Sequence, residues 1–175
     1  IYIVMSIDLS KYTNYLEKQF SQNYNSKEIK AVEINNECII LKTIKKKSKY
    51  LHEKKILLLL QNETFTPQLK YYDDEHLILG LSNVGDSIAI YKKQNKEIYN
   101  CIVDYINLKI KKYVDILHVD YNLYHNDLRE KNICIDDYLN VSLIDFDYTS
   151  TKLRKLEKKY LYDHFSCLYY RCLIT

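Results

Sequence analysis

Three residues in the second half of the chain have the types and spacing that phosphate chemistry uses. Asp127 and Asn132 stand five apart in His125-Asn126-Asp127-Leu128-Arg129-Glu130-Lys131-Asn132, and Asp145 follows in Leu143-Ile144-Asp145-Phe146-Asp147. Residues 133–135 and 141–144, joined through Asp136-Asp137, read as a short hairpin. A hairpin returns the chain on itself, so Asn132 before it and Asp145 after it are expected side by side. A carboxylate and a carboxamide are oxygen donors that suit a hard cation such as Mg²⁺, which takes few protein ligands and fills its shell with phosphates. Asp127 would sit nearby as a further carboxylate, able to accept a proton from an attacking hydroxyl. Metal clamps on phosphates and a positioned base are what phosphoryl transfer needs.

The elements that must position these residues follow from the patterning. Residues 29–34 and 38–44 flank Asn35-Asn36 and predict a hairpin, because paired Asn tolerates the positive φ of a tight turn. A helix is expected over 49–61, and a second hairpin over 68–72 and 76–81 around Asp73-Asp74-Glu75. Between Lys96 and Leu117 apolar residues recur at Ile98, Ile102, Ile106, Ile110, Tyr113 or Val114, and Leu117, the three-to-four spacing of one helix with a buried stripe. From about Thr151 to Leu173 the pattern is helical again. Strands with one helix, a long helix, a small hairpin and terminal helices describe an α+β protein with a sheet-bearing half and a helical half.

Composition sets the limits. The chain has 175 residues, 47% of them hydrophobic, with 26 Lys+Arg against 23 Asp+Glu and a net charge of +3. That excludes a disordered chain and predicts a single domain burying roughly 70% of the unfolded surface. Only two glycines and one proline are present, which disfavours loop-rich β folds and leaves no glycine-rich phosphate loop. Abundant Ile, Lys and Asn and the 19 tyrosines reflect codon usage rather than an aromatic binding surface. The five cysteines form no Cys-x-x-Cys pair, which points to reduced thiols in the cytoplasm or nucleus. No signal peptide or membrane span is expected, because the longest apolar run, residues 56–60, is too short. A chain that begins with Ile rather than Met leaves a longer product open.

His125-x-Asp127-Leu128-x-x-x-Asn132 resembles the catalytic loop of the protein-kinase-like superfamily, with Asn126 where most protein kinases carry Arg. Asp145-Phe146-Asp147 resembles the metal-binding triplet of the same family, its Gly replaced. The spelling is closest to divergent eukaryotic and viral kinase-like proteins. The resemblance implies a bilobal fold over residues 1–175: a small antiparallel-sheet lobe with one helix to about residue 83, then a reduced helical lobe from 84. It implies ATP and Mg²⁺ as cofactors and a protein or small-molecule hydroxyl as acceptor, with nucleic acid and membrane not expected as partners. Lys42, at the end of Cys38-Ile39-Ile40-Leu41-Lys42, resembles the phosphate-anchoring Lys, and Glu53 its helix-borne partner. Residues 79–83 resemble the hinge, so backbone groups at Leu79 and Leu81 are expected to bind an adenine edge. Asn132 and Asp145 would hold the metal, Asp127 would act as base, and Arg129 would contact the transferring phosphate. His125 is expected to brace the loop, and Asp163 resembles the carboxylate that supports it from below.

The sequence departs from the family in four places. The glycine-rich loop is missing, since residues 21–28 read Ser-Gln-Asn-Tyr-Asn-Ser-Lys-Glu; weaker nucleotide affinity follows, because Gly lets backbone N–H groups approach phosphates. Asp147 replaces the last Gly of the metal-binding triplet. Only 17 residues separate Asp145 from Asp163, too few for a long regulated loop. Helices of a full substrate lobe have no counterpart. The leading expectation is a protein Ser/Thr kinase-like phosphotransferase. The alternatives are a pseudokinase scaffold and a small-molecule kinase of the aminoglycoside- or choline-kinase type. The basic runs at 45–49 and 152–159 are expected to be solvated faces.

Overall fold

A computed structural model describes residues 5–6, 22–24 and 27–154. The chain divides into two compact units, Ile1–Asn83 and Val84–Thr175, each with its own sheet. The described residues form a mixed α+β structure with three α-helices.

The first unit is built on β1 (Met5–Ser6), β2 (Gln22–Tyr24), β3 (Lys27–Ile34), β4 (Glu37–Ile44), β5 (Leu69–Asp73) and β6 (Ile78–Ser82), arranged β1-β5-β6-β4-β3-β2. All neighbours are antiparallel except β1, which runs parallel to β5. The β3–β4 turn is made by Asn35 (φ 54°) and Asn36 (φ 61°). Two successive left-handed residues match the twist of a two-residue hairpin, and Asn enters that region at less cost than most side chains. Val32, Ile34, Ile39, Leu41, Tyr71 and Ile78 pack into one buried cluster. Gly80 in β6 lies so close to Tyr71 that a Cβ there would stand 3.0 Å from the tyrosine Cβ.

Helix α1 (Lys47–Leu59) starts and ends two residues before the expected 49–61. It buries Tyr50, Glu53, Ile56 and Leu57, a single helical face. Both Tyr50 and Lys54 reach Asp74 in the β5–β6 turn, each at 2.7 Å from Oδ1, and Lys54 Nζ lies 3.4 Å from the centroid of the Tyr72 ring. Lys54, then Tyr50, holds the Asp74 carboxyl below its ordinary range. Burial, reinforced by the Asp74 hydrogen bond, pushes the Tyr50 hydroxyl well above the normal phenol value. The orientation of α1 is therefore set from two adjacent turns of the helix.

The second unit carries β7 (Asp86–Ser87), α2 (Ile88–Gln94), α3 (Lys96–Val119), β8 (Ile133–Ile135) and β9 (Val141–Leu143), with the strands in the antiparallel order β7-β8-β9. The buried stripe of α3 is Ile106, Ile110, Val114 and Leu117. Ile98, expected in that stripe, is 52% exposed, so the buried part of the helix starts later. Gly85 sits at φ +86°, where a Cβ would meet Ile135 O at 2.2 Å; only glycine fits. Burial, then the charge of Asp86, pushes the Cys134 thiol up to about 12.

Residues 151–154 are not helical, so no helix starts at Thr151. The remainder of that expected helix lies outside the described residues, as do Asp163, Cys167 and Cys172. Among the described residues no helix is long and apolar enough to cross a membrane.

Candidate functional site

The first unit places Lys42 and Glu53 together. Lys42 is on β4, where strand alternation sets it on the opposite face from Ile39 and Leu41. Glu53 occupies the middle of the buried stripe of α1. Lys42 Nζ donates to Glu53 Oε1 at 2.6 Å, and the two side chains are 6% and 1% exposed. Each charge supplies the partner that makes burial of the other tolerable. Among the described residues Glu53 Oε2 is buried without a hydrogen bond.

Leu79 and Leu81 require a correction. Both lie inside β6, an interior strand with partners on each side. Leu79 is opposite Lys42 and Tyr72, and Leu81 is opposite Ile40 and Leu69. Their side chains are buried and their backbone groups lie within the ladders, so they present no edge to an adenine. The last strand residue is Ser82, whose N–H donates to Gln68 O at 2.9 Å, and Asn83 is the first residue beyond it.

Where a glycine-rich loop would be expected, β2 and β3 pair antiparallel. Gln22 pairs with Ile29, Asn23 with Glu28 and Tyr24 with Lys27.

The second unit assembles the loop. Asn132 Nδ2 donates to Asp127 O at 2.9 Å and to Asp127 Oδ2 at 2.7 Å. The amide is thereby oriented with nitrogen toward Asp127, which leaves Oδ1 of Asn132 as its acceptor end. Arg129 Nη2 adds an ion pair to Asp127 Oδ2 at 2.8 Å. Among the described residues Asp127 Oδ1 has no hydrogen-bond partner. Strand pairing of Ile133 with Leu143 is extended by Ile144 N–H donating to Asn132 O at 3.0 Å. Asp145 follows directly, in the left-handed region at φ 66° and ψ 65°. Asp, like Asn, enters that region at less cost than most side chains.

His125 braces this arrangement. A carbonyl can only accept, so the 2.9 Å contact from Nε2 to Ile144 O puts the ring proton on Nε2. Nδ1 then accepts from Asp127 N–H, a long bond of 3.3 Å, and the ring packs on Phe146 at 4.9 Å between centroids. One fully buried imidazole thus joins the loop before Asp127 to the segment carrying Asp145.

Asn126 has a role that local sequence reading did not assign. It is 2% exposed, at φ 65°. Its Nδ2 lies 2.8 Å from Ser150 Oγ, 3.0 Å from Lys152 O and 3.3 Å from Tyr148 O, while its Oδ1 accepts from Arg154 N–H at 2.7 Å. Asp74 and Tyr50 were missed as well. An Asn between two motif residues, or an Asp in a turn, carries no spacing signal; only the partners reveal it.

Among the described residues no group of three or more His, Cys, Asp and Glu side chains is arranged to hold a metal. One carboxamide oxygen and one carboxylate on adjoining backbone still provide the hard-donor chemistry that Mg²⁺ accepts when phosphates complete its shell. Comparison with protein-family models finds no match, and comparison with curated proteins finds none.

Proposed function

We propose that the protein is an ATP- and Mg²⁺-dependent phosphotransferase acting on a hydroxyl acceptor, foremost Ser or Thr of a protein, on a two-lobed kinase-like scaffold. The observation that carries this reading is the loop in which Asn132 is bonded to Asp127 at one end and to the backbone beside Asp145 at the other. The buried Lys42–Glu53 pair and the division of the chain at Asn83/Val84 support it independently.

Each residue has a part. Asn132 Oδ1 and the Asp145 carboxylate would hold Mg²⁺, which supplies charge neutralisation on the phosphate oxygens. Lys42, aimed by Glu53, would orient the α- and β-phosphates. Asp127 would orient the acceptor hydroxyl and take its proton as the new O–P bond forms and the bond to the β-phosphate oxygen breaks, ADP leaving with that electron pair. Arg129 would move from Asp127 to the transferring phosphate; its side chain is 57% exposed and held by a single ion pair. Asp127 and Asn132 need no rearrangement to act, because their mutual hydrogen bonds already fix both side chains.

A non-catalytic binding module is the second reading. It is favoured by the same Arg129–Asp127 ion pair, which occupies the carboxylate that would take the proton, and by the lack of glycine in residues 21–28. Thermal-shift titration with ATP, with and without Mg²⁺, separates the two. At a hundredfold excess over Kd, binding adds about 2.7 kcal/mol, which raises the Tm of a chain this size by several degrees. A Mg²⁺-dependent rise supports the phosphotransferase; an unchanged Tm would leave only the binding module without nucleotide.

A further inference from the structure

Helix α3 carries two stripes. One is the buried set Ile106, Ile110, Val114 and Leu117, and the helix packs against α2 and β9. The other is Tyr105, Leu108, Lys112, Asp115 and Val119, which follow one another by three, four, three and four residues. At 3.6 residues per turn the second stripe lies about 180° from the first. Its apolar members face solvent, Leu108 being 68% exposed and Val119 71%. Leu108, Lys112, Asp115 and Val119 also line one groove along the helix. A single exposed Leu is ordinary, but apolar residues that recur outward at three-four spacing make the seam of a helix pair.

The two charges in the stripe decide the partner. Lys112 and Asp115 lie between Leu108 and Val119, so the order is apolar, cationic, anionic, apolar. Turned end for end, that order is its own complement. The geometry points to a second copy of this chain as the occupant, its α3 lying antiparallel to the first about a two-fold axis. Leu108 then meets the partner's Val119, Lys112 meets the partner's Asp115, and each contact occurs twice. Asp115 already accepts from Lys111 Nζ at 3.0 Å through Oδ2, so the partner's Lys112 joins an existing charge pair. A parallel pair in register would set Lys112 on the partner's Lys112 and Asp115 on the partner's Asp115. Sliding the antiparallel pair by one heptad would set Lys112 on the partner's Leu108. Of the three, the first alone pairs both charges. An overlap of about three helical turns buries less than the roughly 800 Å² per partner of a standard stable interface, so the dimer is reversible.

The pairing requires no catalysis, so mass alone tests it. Sedimentation velocity over a concentration series should show the wild-type protein passing from one chain to two. K112E sets carboxylate against carboxylate twice in the dimer, and D115K sets ammonium against ammonium twice. Each alone should weaken self-association at least about tenfold. Lys112 is exposed and the Asp115 side chain is 36% exposed, so circular dichroism of both variants should match the wild-type protein. Mixed in equal amounts, the two variants should recover wild-type affinity as a heterodimer, because each supplies the charge that the other lacks. A wild-type protein that remains one chain at every concentration would overturn the dimer. Self-association unchanged in K112E and D115K would overturn this surface, and weakened variants that stay apart on mixing would overturn the antiparallel pairing.

Discussion

The two units hold their charged residues by opposite means. In the first, Lys42 and Glu53 neutralise each other in a dry interior, carried on a strand and a helix whose regular geometry sets the 2.6 Å contact. In the second, Asp127 is held by an amide and an exposed guanidinium, on a loop whose shape depends on left-handed residues at Asn126 and Asp145. The first arrangement is stiff, because breaking a buried pair strands a charge. The second is exchangeable, because Arg129 can leave Asp127 for another anion at the small cost of an exposed ion pair.

The largest expected effect breaks the stiff half. Glu53→Ala leaves Lys42 buried against a lost partner and should destabilise the protein by about 3 kcal/mol in urea unfolding. The double variant K42M/E53L should recover most of that loss, since paired apolar replacements of buried ion pairs are often neutral. A double variant as unstable as Glu53→Ala would show that the pair itself contributes stability. Next, Gly85→Ala forces a Cβ into Ile135 O and should cost about 2 kcal/mol, read in the same assay. Unchanged stability there would mean that β7 and β8 separate easily.

Smaller effects sharpen the contrast. Asp74→Ala removes both ties on α1 and should cost about 1 kcal/mol, with exchange protection falling around Glu53; intact protection would show that helix packing alone sets the carboxylate. Cys134 gives a pH-dependent check on the second unit. Its thiol is pushed up in the folded state, so the unfolded chain loses its proton first as pH rises. Stability from this group is complete below the ordinary thiol value and should decline from about pH 9 toward 12, a decline that Cys134→Ala removes. Stability that falls equally with and without the thiol would assign it to other groups.

Much of the fold was readable because it rests on local pattern. The Asn35-Asn36 turn, the α3 stripe from Ile106 to Leu117, and the 133–135 and 141–144 hairpin each carry their signal within a few residues. Strands β1 and β2 and helix α2 were not foreseen: all three are short, and β1 is defined by pairing with the distant β5 rather than by propensity. The long helix starts at Lys96, where the apolar spacing was expected to begin. Of the site, the positions of Asp127, Asn132 and Asp145 in one hairpin-bound loop could be anticipated from spacing alone. Leu79 and Leu81 fall in a strand as their pattern indicated, but the adenine-binding role implied for them by the resemblance conflicts with a strand paired on both sides, which the pattern alone does not reveal. Asn126 depends on contacts more than twenty residues away, and no pattern in its own neighbourhood announces them.

In the proposed reaction Asp127 takes a proton during phosphoryl transfer while Asn132 and Asp145 support the nucleotide. Asp127→Asn keeps the shape of the side chain and can still contact Asn132. Transfer from γ-labelled ATP to a Ser-containing peptide should be Mg²⁺-dependent in the wild-type protein. It should fall by about three orders of magnitude in Asp127→Asn, with the Mg²⁺–ATP thermal shift retained. Transfer by Asp127→Asn at the wild-type rate would contradict the account.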